Sequence, residues 1–436
     1  MNRPALNRSS RDRLEACLAR IEDPAGEGNR AFTKLYADQA RAAADAADRR
    51  AQFGQSLGPL DGRIVSIKDL FDMPGEVTTA GSKLRRDAAP AATEAPAIAR
   101  LRAAGAVIIG KTNMTEFAFS GVGINPHYGT PGNPADRSRI PGGSSSGGAV
   151  SVADGMAEIT IGSDTGGSTR IPAALCGIVG LKPSQYRIPT AGAFPLSYAL
   201  DSIGPMAGSV SDCALADAVM AGDEITTLMP APLTGLRLGI PQGLLLEGMD
   251  TAVGAAFDAA IKALGAAGAT LSDHPLPLLQ DMVAVNAKGG FAATEAFFIH
   301  REAMEQRPGD FDTFVRNRIE RGRNVTAADY IFMQRRRAEL IAAMDRDLAD
   351  LDALILPTTP IVAPRITDLA SNEAAFTAAN GLLLRNTSVG NFFDLCAISL
   401  PLPISGLPVG LMLVARNGQD RRLLRLAMGV ESILSV

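Results

Sequence analysis

Between Pro141 and Pro183 the chain reads PGGSSSGGAVSVADGMAEITIGSDTGGSTRIPAALCGIVGLKP, two glycine-flanked serine clusters joined by an apolar segment of small residues. Glycine is needed where the backbone takes φ > 0 or approaches another group closely, and serines beside it end up on sharp turns. Such a stretch has few ways to fold. Ala149 to Met156 suits a short buried helix, and Ala157 to Gly162, which alternates and carries Ile159, Thr160 and Ile161, suits a strand. The second cluster, Ser163 to Arg170, then falls at a strand end. Successive N–H groups around paired glycines there form a concavity for an oxyanion, with Ser168 beside it.

Three readings of this stretch compete. Gly162 to Thr169 runs G-x-x-x-x-G-S-T, the glycine spacing of a phosphate loop, but Ser168 stands where the phosphate-binding lysine belongs. Gly143 to Gly147 satisfies the G-x-S-x-G of a nucleophile elbow. That elbow follows a strand, whereas Asn133 to Gly142 is polar, charged and bounded by proline. Read whole, the segment resembles the signature of the amidase family: Gly142-Gly143-Ser144-Ser145, then Gly162 to Ser168, then Gly177 to Pro183. The resemblance extends to Arg63 to Asp69, Ala104 to Asn113, Leu356 to Pro360 and Gly406 to Gly410, in the family's order and over roughly residues 60 to 415.

The resemblance implies a Ser-Ser-Lys triad. Ser168 matches the nucleophile, Ser144 the bridging serine that follows a cis peptide bond in this family, and Lys68 the general base. Thr165, Gly166 and Gly167, with Ser168, match the backbone oxyanion hole. Ser146 stands where many members have glycine, which leaves Ser145 as the alternative bridge. The family also places a substrate-side loop between Lys111 and Pro134, making Phe119, Ser120 and Asn125 candidates for the acyl pocket.

The chemistry is coherent on its own terms. A serine hydroxyl attacks only once a neighbour takes its proton, and lysine can do so near neutral pH only if burial lowers its pKa from about 10.4. Lys68 follows the apolar run Ile64-Val65-Ser66-Ile67, which favours burial. Lys83, Lys111 and Lys182 are alternative bases in principle. The three histidines serve less well: His127 reads as solvent-exposed or locally hydrogen-bonded, His274 abuts Pro275, and His300 falls inside a helix. None has metal-ligand spacing, so neither metal nor cofactor is expected.

Around the signature, alternation of elements predicts an α/β fold with a large mixed sheet covered on both faces by helices. Residues 12 to 22 and Phe32 to about Ala51 read as helices. Ala97 to Ile109 and Val253 to Leu271 each read as helix, glycine, strand. Asp201 to Asp212 reads as loop leading to a strand at Leu236 to Ile240. Thr326 to Leu351 reads as a helix with a Thr326/Asp329 start and with Arg335, Arg336 and Arg337 on a solvated face. We expect one amidase domain over residues 1–436: N-terminal helices at about 10–55, the signature core at about 60–220, and a half at about 235–436 that completes the sheet and pocket.

The net charge of −4 gives no footprint for nucleic acid. Cys17, Cys176, Cys213 and Cys396 lack disulfide-framework or metal spacing, the N-terminus lacks a signal-peptide core, and no apolar run would span a membrane. A cytoplasmic enzyme acting on a small-molecule amide is the expectation, with a homodimer allowed. It would cleave the carboxamide C–N bond to carboxylate plus ammonia or amine. The alternative is the glutaminase (A-type) subunit of a tRNA-dependent amidotransferase, against which reads the lack of a basic extension beyond Ala415.

Overall fold

The computed structural model describes residues 8–434; residues 1–7, part of the stretch read above for a signal sequence, lie outside the described residues, as do 435–436. Its strands are β1 (Phe32–Leu35), β2 (Ile64–Lys68), β3 (Val107–Thr112), β4 (Ile159–Asp164), β5 (Val179–Lys182), β6 (Ser202–Ala207), β7 (Arg237–Gln242), β8 (Thr270–Pro275), β9 (Ala353–Pro357), β10 (Cys396–Pro401) and β11 (Gly410–Ala415). They form one 11-stranded sheet in the order β1-β3-β2-β4-β6-β5-β10-β11-β9-β7-β8. Pairing is mixed: β2 runs parallel to β3 and β4, and β7 to β8 and β9, while the centre is antiparallel.

Helices cover both faces, and the period-two alternation of side chains explains how. In β9, Ala353 and Ile355 pack with the helices Val210–Ala221, Thr251–Ala266 and Asp420–Leu434, whereas Leu354 and Leu356 face the layer built from Ala327–Asp347 and Glu373–Phe392. At the other end of the sheet, Ile64, Val107 and Ile109 pack against Ser10–Glu22, Ala37–Gln52 and Ser146–Ala153. The strands buried on both sides hold small hydroxyls inside, as at Ser66, Thr160 and Ser399, but their charged residues, Lys68, Lys111, Asp164 and Lys182, stand at or next to strand ends. That is where the site lies.

Three expectations need correction. Phe32 to Leu35 is not the start of a helix but edge strand β1, because its backbone pairs with β3; the helix begins at Ala37. The stretch from Asp201 is not loop: Ser202–Ala207 is central strand β6, between β4 and β5, and Val210 opens a helix capped by Ser209. Pro205, which alone argues against a central strand, hid it. Finally, Arg337 is not on a solvated face. It donates to the carbonyls of Phe392 and Asn391, covering the end of the Glu373–Phe392 helix.

Candidate active site

The parallel strands β2 and β4 end at the same edge of the sheet, and β6, antiparallel to β4, begins there, with Asp164 opposite Ser202. Lys68, Asp164 and Asp201 therefore converge on one edge, the place where open sheets hold their ligands. Two loops fill the edge: the turn Thr165 to Thr169, and Gly142 to Ser145, which carries a cis peptide bond at Gly143-Ser144.

Lys68 is completely buried, and its Nζ donates to Ser144 Oγ at 2.7 Å and to Ser163 Oγ at 2.9 Å. Burial pushes its pKa down to about 7, against the pull of Asp164 and Asp201, which favour the ammonium form. Ser145 instead points its Oγ toward the Ser163 carbonyl, so the serine on the lysine is Ser144. Ser168 stands on the adjoining turn, its carbonyl accepting from Ser145 N at 3.3 Å, and its own hydroxyl has no partner among the described residues. The other lysines are engaged elsewhere. Lys182 donates to the carbonyls of Pro183 and Leu395, Lys111 sits between Asp69 and Glu76, and Lys83 faces Asp310.

The turn is held by its carbonyls. A trans peptide points its C=O and N–H to opposite sides. Asp164 O accepts from Ser202 Oγ and Asn391 Nδ2, and Gly167 O accepts from Ile171 N, which fixes the Thr165 and Ser168 N–H groups on the far side. These two N–H groups and that of Gly166 have no protein acceptor among the described residues. The Gly167 N–H is different: it donates to Asp164 Oδ1 at 2.8 Å. Gly167 matters through its shape, since φ is 139° and a Cβ there would sit 2.2 Å from Thr387 Oγ1.

Beneath the turn, Asp164 receives Arg170, the Thr169 hydroxyl and Asn391. Burial alone would raise this carboxyl, but Arg170 and Lys182 hold it well below the usual carboxylate range. Thr387 and Asn391 come from the Glu373–Phe392 helix, and the sequence reading missed both. A stripe of Asn386, Thr387 and Asn391 buried within an otherwise apolar helix face was the available signal.

The loop residues separate. Phe119 is buried beneath the Arg318 guanidinium, which lies 4.6 Å from the ring centroid and donates from Nε to the Phe119 carbonyl at 3.0 Å. Ser120 bonds Asn380 Oδ1, and the next residue, Gly121, accepts from Gly143 N, which ties this loop to the serine cluster. Asn125 offers nothing to a ligand: Nδ2 donates to Gly81 and Met114 carbonyls while Oδ1 accepts from His127 and Tyr128 N. It anchors the loop in place of lining a pocket. His127 bonds Glu116 at 2.8 Å. Arg318, also missed, has no carboxylate within ion-pair distance among the described residues, and burial, with Arg321 nearby, pushes it down to about 10.

Among the described residues no cluster of three or more His, Cys, Asp or Glu could hold a metal ion, and no helix is long and apolar enough to cross a membrane.

Fold and site together are those of an enzyme acting on amides. The Amidase family model matches residues 12–424, and the chain belongs to that family. It is 37% identical to 2-amino-5-chloromuconic acid deaminase of Comamonas testosteroni, covering 91% of this chain and 87% of the relative. It is 35% identical to AtzE, the 1-carboxybiuret hydrolase subunit of Pseudomonas sp. (strain ADP), over 96% and 93% of the two chains. The A-type subunit of the glutamyl-tRNA(Gln) amidotransferase of Chloroflexus aggregans is 39% identical over 94% and 90%. A crystal structure of an amidase superposes with a TM-score of 0.87 at 34% identity, over 98% of this chain and 96% of that one.

Proposed function

We propose that the chain acts as a single catalytic domain that hydrolyses a linear carboxamide through an acyl-enzyme on Ser168. Neutral Lys68 takes the proton of Ser168 through Ser144, and Ser168 Oγ attacks the carbonyl carbon. The negative oxygen that forms is received by the N–H groups of Thr165, Gly166 and Ser168. The proton returns to the leaving nitrogen, ammonia or an amine departs, and water releases the carboxylate along the same route. The observation that carries this is the 2.7 Å bond from a fully buried lysine to Ser144. Burial leaves that lysine able to accept a proton near neutral pH.

Arg318 supports a narrower substrate: an amide that also bears a carboxylate. A half-buried guanidinium without an ion-pair partner among the described residues keeps donors free, and a bound carboxylate would satisfy them. The names of the deaminase and the carboxybiuret hydrolase each carry an acid. A cytoplasmic location and a small-molecule substrate fit the same reading.

The test is ammonia release from a panel of amides, acidic and neutral, glutamine included, by wild type and by Ser168→Ala. Turnover that vanishes in a folded Ser168→Ala supports the assignment, and turnover that persists sinks it. The likeness to the A-type amidotransferase chain keeps a second reading in view. Silence on every free amide, with glutamine hydrolysis appearing only beside a co-purifying partner, would favour it.

A further inference from the structure

We infer that Asp201 is a positioning residue of this site, holding the Thr165 end of the oxyanion turn and setting a fixed negative charge beside Lys68. The inference rests on the reading of Lys68 and Ser168 given above. Asp201 immediately precedes β6, at the edge where β2 and β4 end. One carboxylate oxygen accepts from Thr165 Oγ1 at 2.5 Å; the other accepts from the backbone N of Leu196 at 2.9 Å and of Ser197 at 3.1 Å.

No lysine or arginine approaches Asp201 within ion-pair distance among the described residues, so the mechanism's own lysine is the cation its charge acts on. Asp164, the other carboxylate acting on Lys68, is already matched by Arg170 and influenced by Lys182. From the other side Asp201 faces Glu295 of the Gly290–Gln306 helix, which receives the Ser197 and Tyr330 hydroxyls. Burial raises Asp201 to about 6, with Glu295 adding to the rise against the Thr165 and backbone hydrogen bonds that lower it. It is ionised where neutral Lys68 works. When Ser168 gives up its proton, the positive charge appears on Lys68, and Asp201 stabilises it there.

Asp201→Asn separates charge from shape. The amide can still receive the two backbone N–H groups on oxygen and donate from nitrogen to Thr165 Oγ1. Removing an anion lowers the pKa of a neighbouring lysine. The acid limb of kcat/KM should therefore move down by about one pH unit, while kcat falls about tenfold to a hundredfold and KM changes by less than about threefold. Thr165→Val, which loses the hydroxyl but leaves the carboxyl group in place, should lower kcat on the plateau above the limb, with the limb moved less than in Asp201→Asn.

Thermal unfolding is recorded for both variants, and Ser168→Ala is assayed beside them. An Asp201→Asn profile superimposable on wild type overturns the charge role, and a Thr165→Val kcat equal to wild type overturns the positioning role. Either result with Ser168→Ala inactive leaves the assignment of the triad standing; an active Ser168→Ala removes that assignment itself. If Asp201→Asn does not fold, Asp201→Glu keeps the charge and is assayed in its place, with the limb expected within about 0.3 of wild type and kcat reduced by misplacement. A limb displaced further in Asp201→Glu overturns the inference.

Discussion

Arg170 and Asp164 form an ion pair from which solvent is excluded on both sides: Nη2 lies 2.9 Å from Oδ1 and Nε 3.1 Å from Oδ2, with neither side chain exposed. The pair is the floor of the serine turn, because the same carboxylate takes the N–H of Gly167 and of Thr169. Removing one partner strands a buried charge. Arg170→Met should lower unfolding free energy by about 3–5 kcal/mol, read from urea denaturation, and abolish turnover with it.

The second prediction concerns pH. Lys68 must be neutral to accept a proton, and its pKa is about 7, lowered by burial. Protonation on the acid side removes the base, so kcat/KM should rise about tenfold per pH unit below about 7 and level off above it. The profile of kcat/KM against pH for a neutral amide checks this. A flat profile down to pH 5 would mean that Lys68 is not the base.

How much of this was legible in the sequence depends on distance along the chain. Ser144 and Ser168 lie in one signature stretch and Lys68 ends an apolar run, so the resemblance of that stretch to a known family carries their roles; Ser163, in the same stretch, was not singled out, and only the fold puts it on Lys68. Thr387 and Asn391 donate to Gly166 and Asp164 across 221 and 227 residues, from a helix whose polar residues look ordinary until the helix is docked. Asp201 was obscured with its strand, since Gly204 and Pro205 suppress the alternation that would mark β6. Arg318 was not singled out in the sequence; only the fold, which leaves it no carboxylate within ion-pair distance among the described residues, distinguishes it. Asn125 differs in the opposite sense: loop position suggested a substrate contact, and its amide is taken up by hydrogen bonds with Gly81, Met114, His127 and Tyr128.

Gly167 supplies the third prediction. Its φ of 139° and the 2.2 Å approach of Thr387 Oγ1 to its missing Cβ leave no room for alanine, and Thr387 itself fixes the turn by donating to Gly166 O at 2.6 Å. Gly167→Ala should lower kcat by at least about a hundredfold, because the shifted turn misdirects the free N–H groups. Thr387→Val, which adds no bulk to the turn, should cost about tenfold. Steady-state kinetics on both, with circular dichroism to establish folding, tests the order.

Arg318 gives the fourth. A guanidinium that stacks on Phe119 and bonds its carbonyl has donors left over and, among the described residues, no carboxylate within ion-pair distance to meet them. Hydrogen bonds to charged groups contribute about 1.5–3 kcal/mol, which corresponds to about tenfold to a hundredfold in binding. Arg318→Met should therefore raise KM by that factor for an amide bearing a carboxylate and leave KM for its neutral ester or amide analogue nearly unchanged. The comparison separates recognition from support. If both substrates lose equally, the arginine acts by holding Phe119 and the loop that touches Gly143, and the substrate need not be an acid.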